Sequence, residues 1–289
     1  MRRHISLFGS SFFALSLSAV PALSAAAPAR AVPVDLELVL AADTSQSIDQ
    51  REAYLQRQGV NAAFRSPELL RAIQSGTLGK IAVAYLDWSG EWNNRIVVDW
   101  TVIQDKASGD GFAAAVLKNL TYGEGTSIGG AIAQAVEMIE SNSFEGTRRT
   151  IDISGDGPAN RGRPVHEVSD EAAAKGITIN GLPIVTEEMG EGDWGDYYGD
   201  LPAFYRNCVI GGRGAFSLPA KGFQDFAAAM RRKLVLEISD LAPEERPAVM
   251  PAAAMPVPQA RPAAPALVPQ RAPAKRVGCG SELGRFRDF

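Results

Sequence analysis

Between residues 34 and 241 the chain alternates strand-length apolar runs with segments whose apolar residues recur at helical spacing, and this alternation restricts the fold more than any other feature. Val34–Ala42 opens with every second residue apolar and becomes continuously apolar, as a strand entering the middle of a sheet does. Lys80–Trp88 and Arg95–Ile103 are two further strands. The short link Ser89–Asn94 between them predicts a hairpin and hence one antiparallel edge. Thr150–Ser154, Ile177–Ile184 and Gly214–Leu218 complete the expected strands. Ile128, Ile132, Val136 and Ile139 form one helical stripe and Phe223, Phe226, Met230 and Leu234 another; both suit a core better than a cofactor box. The fold class expected is α/β: a doubly wound, mostly parallel, Rossmann-like sheet with one antiparallel edge strand and helices on both faces. In such sheets chemistry collects in the loops at the carboxyl ends of the strands.

The two ends differ from this middle. Residues 1–31 place Arg2 and Arg3 before an apolar run from Ile5 to Leu23 and then small residues, the layout of a signal peptide cut between about Ala25 and Ala31. The alternative is a retained anchor, against which Gly9, Ser10, Ser11 and Pro21 interrupt the run. Residues 242–277 are dense in Pro and Ala and poor in aromatics, which predicts an extended spacer without a core. Residues 278–289 form a tail, either a small docking element or a frayed end. The expectation is one domain over 34–241 in a secreted or periplasmic protein, with no membrane span once the signal is removed.

Charge narrows the partners. Asp35–Leu241 holds 29 Asp and Glu against 19 Lys and Arg, whereas the whole chain carries a net −4 because its ends are basic. An acidic domain disfavours nucleic acid and anionic lipid and suits cations or a basic partner. Cys208 and Cys279 meet an oxidising compartment on export. They either bridge the tail to the domain or stand apart, one buried and one free.

Three loops follow expected strands: Asp43-Thr-Ser-Gln-Ser47, Gly123-Glu-Gly-Thr-Ser-Ile-Gly-Gly-Ala-Ile132 and Ser154-Gly-Asp-Gly-Pro-Ala-Asn160. Together they resemble the von Willebrand factor A domain, whose metal-ion-dependent adhesion site combines an Asp-x-Ser-x-Ser loop, a Thr from a later Gly-rich loop and an Asp-Gly after the fourth strand. The resemblance spans about Val34 to Ser239 and is greatest with secreted bacterial proteins of this domain type, which also share the Tyr205–Phe216 and Arg231–Ile238 segments. It implies that Ser45, Ser47 and Thr126 offer hydroxyls to a divalent cation, with Asp43 and Asp156 holding it directly or through water. Mg²⁺ suits such hard oxygen ligands, with Mn²⁺ or Ca²⁺ as the other choices. Neutral ligands leave charge on the metal for the carboxylate of a protein partner.

Each motif also has a purely structural reading. Ser47-Ile-Asp-Gln50 fits a capping box, Thr126 or Ser127 fits a helix cap, and Asp156-Gly157 fits a turn. Gly155 intervenes where family members carry Thr or Ser directly before Asp-Gly, so the loop has an extra residue, and Asp152 is the fallback carboxylate. The acidic, aromatic stretch 187–200 leaves the sheet at the same edge. It suits either basic groups of the partner or a second cation such as Ca²⁺, or is a solvated loop.

A binding module is therefore expected, with no enzyme activity. The alternative is a metal-assisted hydrolase or phosphatase at Asp43. Against it, His166 is the sole histidine beyond the signal segment, and it stands at a helix start, where a surface residue is commoner than a base. Gly76–Lys80 lacks the length of a phosphate loop, and Gly123–Gly129 lacks dinucleotide spacing.

Overall fold

The computed structural model describes residues 31–118, 120–186, 200–240 and Cys279. The expected signal segment up to Arg30, the expected Pro-rich spacer, the rest of the tail and residues 187–199 of the acidic stretch lie outside the described residues. Among the described residues no helix is long and apolar enough to cross a membrane.

Six strands form one sheet: β1 (Val32–Asp43), β2 (Ile81–Trp88), β3 (Asn94–Ile103), β4 (Phe144–Gly155), β5 (Thr178–Val185) and β6 (Ala220–Lys221), in the order β3-β2-β1-β4-β5-β6. All neighbours are parallel except β2 and β3, which form the antiparallel edge expected from their short link. The strand order reverses between β1 and β4. Their carboxyl ends are therefore the crevice of a doubly wound sheet. The register Ala42↔Ser154 sets Asp43 beside the end of β4, although 113 positions separate Asp43 from Asp156.

The period-two alternation sorts side chains to opposite faces. Leu36, Leu38, Leu40 and Ala42 pack with α1 (Gln50–Phe64), α2 (Pro67–Gln74), α3 (Lys106–Val116) and α7 (Phe226–Ile238). Val39 and Ala41 pack with α4 (Ile128–Ser141) and α5 (Val165–Ala174) on the other face. Each fully buried Leu or Ile contributes about 1.5–3 kcal/mol relative to an exposed one, so the two layers supply the main driving force. The stripe Ile128, Ile132, Val136 and Ile139 lies on α4 and is buried. In the second stripe, Phe223 precedes α7 and the other three lie on it.

Two strand expectations need correction. The last strand is not Gly214–Leu218: that segment meets β5 through the single bridge Gly181↔Ser217, and the ladder forms at Ala220–Lys221. Gly212 and Gly214 have φ of 91° and 68°, turning the chain across β5 instead of along it. β4 is also longer than Thr150–Ser154, because Phe144–Arg149 pair with the first half of β1.

After β5, a short α6 (Leu201–Phe204) continues into the π-helical turn Tyr205–Val209. Cys208 in that turn forms a disulfide with Cys279, Cα atoms 5.6 Å apart, so the bridged alternative for the two cysteines is the one adopted.

Candidate metal centre

β1 delivers Asp43 to the sheet edge and the chain turns at once. The Asp43 Oδ1 accepts from the Ser45 amide at 2.8 Å, and the Ile48 amide donates to the Ser45 carbonyl at 3.0 Å. Thr44 donates to the Trp88 carbonyl from both its amide (2.8 Å) and its hydroxyl (3.2 Å), fixing this loop to the end of β2. Gln56 of α1 donates to the Asp43 carbonyl at 3.0 Å.

The residue that caps α1 is Asp49. Its carboxylate accepts from the Glu52 amide at 2.8 Å, and the Glu52 carboxylate accepts from the Asp49 amide at 2.9 Å. The capping-box reading of Ser47 is thereby corrected: with Asp49 in that role, the Ser47 hydroxyl donates to Asp156 Oδ1 at 2.8 Å and lies 3.0 Å from the Ser45 hydroxyl. The second loop divides its labour in the same way. Ser127 Oγ accepts from the Gly130 amide at 3.2 Å and caps α4. The Thr126 hydroxyl takes part in no hydrogen bond among the described residues, so the cap reading applies to Ser127 alone.

Backbone contacts draw the three loops together. The Gly123 amide donates to the Thr44 carbonyl at 3.0 Å and the Ser127 amide to the Ser89 carbonyl at 2.7 Å. Asn160 fastens the third loop to the second: its Oδ1 accepts from the Thr126 amide and its own amide donates to the Thr126 carbonyl, both at 2.9 Å. Asn160 closes the Ser154–Asn160 motif, and the family resemblance gives it no role. Asp43, Ser45, Ser47 and Asp156 thus form one connected cluster, and Thr126 is tied to it through the backbone. Asp152, the fallback carboxylate, is elsewhere: it is buried against Lys233 of α7 at 2.7 Å.

Gly155 is required by close approach. A Cβ at that position would stand 2.8 Å from Asp43 Oδ2, 3.0 Å from the Tyr205 hydroxyl and 3.2 Å from Trp88. The extra residue in Ser154-Gly155-Asp156 therefore lets β4 pass over the carboxylate while Asp156 still reaches Ser47. Tyr205, brought beneath the site by the π-helical turn, is the second residue that motif reasoning missed. Gly155→Ala is expected to cost about 1–3 kcal/mol in a denaturant titration through overpacking, because the neighbouring carboxylate, phenol and indole all lie within a packed interior.

Burial first, and then the neighbouring Asp156, push the Asp43 carboxyl well above the usual carboxylate range. Burial also raises Asp156, with Glu52 adding to it and the Ser47 hydrogen bond opposing it. Asp43 Oδ2 is buried without a hydrogen-bond partner, as is the Tyr205 hydroxyl. Burial and then Asp43 raise the Tyr205 phenol in turn. Two carboxyls in one poorly solvated place call for a counter-charge. Hard oxygen donors without a nitrogen or sulfur ligand match Mg²⁺ or a similar cation. Among the described residues no three His, Cys, Asp or Glu side chains converge as a metal cage; this set depends on hydroxyls to supplement two carboxylates.

Solved structures share the architecture. The pilus adhesin SpaC from Lactobacillus rhamnosus GG superimposes with a TM-score of 0.53 at 13% identity, over 72% of this chain and 31% of that one. A von Willebrand factor type A protein from Catenulispora acidiphila gives 0.49 at 18% identity, over 71% and 43%. Proximal thread matrix protein 1 from the mussel byssus, solved with a zinc-occupied MIDAS motif, gives 0.48 at 16% identity, over 73% and 49%. The chain spans 31% to 49% of the length of these proteins, and at such identities the fold is what is shared. No curated protein matches. The fold is von Willebrand factor A-like, a six-stranded mixed sheet between helical layers. Residues 33–242 match the family described as Protein of unknown function (DUF1194), and the chain belongs to that family.

Proposed function

We propose that the chain is an exported, divalent-metal-dependent protein-binding module, secreted or periplasmic, and not an enzyme. The observation carrying this reading is the cluster in which Ser45, Ser47 and Asp156 are joined by short hydrogen bonds above a buried Asp43 with one oxygen unpartnered. In this reading Ser45, Ser47 and Thr126 present hydroxyls to Mg²⁺, while Asp43 and Asp156 hold it directly or through water. Bound there, the ion supplies a positive charge that a partner's carboxylate completes. Ser47 is exposed, so the cluster opens to solvent. The acidic stretch 187–200 would face basic groups of the same partner. The pilus adhesin of similar fold is consistent with an adhesive role.

A thermal melt with and without Mg²⁺ tests the reading. A ligand that binds only the folded state at about 100 times its Kd stabilises by about 2.7 kcal/mol. For a domain of this size that corresponds to roughly 5–10 °C in Tm. Asp43→Ala is expected to abolish the shift, and a shift of equal size in that variant would refute the site.

A further inference from the structure

Tyr205 has no exposed surface, and its hydroxyl is buried without a hydrogen-bond partner. A phenylalanine would fill the same space and leave no polar group unsatisfied, so the hydroxyl costs stability that the ring alone would not. The chain nonetheless brings this residue to the site by several separate means. The π-helical turn Tyr205–Val209 is closed by the Ile210 amide, which donates to the Tyr205 carbonyl at 3.0 Å, and Ser169 of α5 donates to the Val209 carbonyl at 2.8 Å. The disulfide to Cys279 fixes Cys208 within the same turn. Single π-turns of this kind are frequent at functional sites. Two glycines then make room for the side chain. A Cβ at Gly181 of β5 would stand 2.5 Å from the ring carbon Cδ1, and a Cβ at Gly155 of β4 would stand 3.0 Å from the hydroxyl.

The hydroxyl ends where Asp43 ends. Asp43 Oδ2 lies 2.8 Å from the same Gly155 Cβ position and is likewise buried and unpartnered, whereas Oδ1 accepts from the Ser45 amide. Trp88 meets that position with a ring carbon, Cζ2, at 3.2 Å, which leaves the phenol as the polar group facing the free carboxylate oxygen. After burial, the Asp43 carboxyl is the largest influence on the Tyr205 phenol, as expected of close neighbours. A donor without an acceptor and an acceptor without a donor thus stand at one point, both held rigidly and both at a cost. Such unsatisfied pairs call for an explanation, and sites of function are where local rules are broken.

We propose that Tyr205 is a positioning residue of the metal centre: with the cation bound, its hydroxyl donates to Asp43 Oδ2 and fixes the orientation of the carboxylate. The proposal rests on the metal-dependent reading of the three loops. With the Ser45 amide on Oδ1 and the phenol on Oδ2, both oxygens of Asp43 are held and the side chain cannot turn away from the ion. Tyr205 itself acts only through Asp43. Hydrogen bonds of this outer kind orient the groups that hold a metal, and their loss commonly lowers metal affinity by about 10–100-fold.

The test is Tyr205→Phe in the full-length protein, melted in chelator and titrated calorimetrically with Mg²⁺ and, separately, with Mn²⁺. In chelator the variant is expected to melt at or above the parental Tm, because it loses only an unpartnered hydroxyl. Its Kd for the ion is expected to rise about tenfold or more. A hydroxyl that served the fold alone would give the reverse pattern, a lower Tm in chelator and an unchanged Kd. A variant Tm in chelator below the parent's, or a Kd within about twofold of it, overturns the positioning role and leaves the metal reading standing. A parent that binds neither ion overturns the metal reading, and the role of Tyr205 with it.

Discussion

Lys233→Met is expected to destabilise the protein by about 3–5 kcal/mol, because it removes the only cation from a buried cluster and leaves two carboxyls behind. Lys233 lies on α7 with no exposed surface; its ammonium contacts Asp152 of β4 at 2.7 Å and Glu237, one turn on, at 2.5 Å. Asn180 of β5 donates to Glu237 at 2.7 Å and accepts from the Phe216 amide at 2.9 Å. The Phe216 ring lies 5.5 Å from the ammonium. The cluster therefore holds α7 to β4 and β5 at the centre of the sheet. The loss should appear as a lower denaturant midpoint with an unchanged slope.

The same cluster makes stability depend on pH. Burial, and then Asp152, push the Glu237 carboxyl up to about 7, against the opposing pull of Lys233 and Asn180. The folded protein therefore keeps this proton at a pH where the unfolded chain, in the ordinary glutamate range, has lost it. Its contribution is fully present below the unfolded value and is lost as pH rises through about 7. Melts between pH 5.5 and 8 are expected to show Tm falling as pH rises. Asp43 and Asp156, both raised, act in the same direction in metal-free buffer. Glu237→Gln should flatten the Glu237 share of the slope; an unchanged slope would assign the dependence to other groups.

What could be read from the sequence follows from how far each signal reaches along the chain. β1 was legible because five successive buried residues, Leu38–Ala42, form an unbroken apolar run preceded by alternation at Val34 and Leu36. β6 was not, since two residues carry no periodicity, and its position is set by the turn at Gly212 and Gly214. Asp43 and Asp156 could be paired only through topology, as ends of strands flanking the reversal point. The cap of α1 was legible in principle: Asp49-x-x-Glu52 stands in the sequence beside Ser47-x-x-Gln50, and the carboxylate pair is the one that forms. Gly155 reads as an insertion along the chain and as a necessity in space, because the groups it avoids come from β1, β2 and the turn at Tyr205. Lys233 was hidden by its neighbours, since Arg231-Arg232-Lys233 looks like a solvated helix face until one of the three turns inward. Buried ionic partners come from distant segments, and no local pattern announces them.

The other buried pair makes the second large prediction. Arg57→Met is expected to cost about 3–5 kcal/mol, since it strands Asp87 in the interior. Arg57 and Asp87 are 2% and 1% exposed; Arg57 and Thr121 both donate to Asp87 Oδ2, while Oδ1 is buried without a hydrogen-bond partner among the described residues. Burial already raises the Asp87 carboxyl, and Arg57 is the largest influence opposing that rise. Without the guanidinium, Asp87 should fold protonated, so the deficit should be greatest at neutral pH and shrink as pH falls toward the carboxylate range. The double variant Arg57→Met/Asp87→Leu should recover much of the loss, because two apolar groups need no pairing. The two measurements then separate function from stability. The Thr121 hydroxyl holds the chain that leads through Tyr122 to Thr126, so the double variant should be stable yet show a smaller Mg²⁺-induced Tm shift. Full stability together with an undiminished Tm shift would mean that the segment leading to Thr126 is held by something other than the Arg57–Asp87 pair.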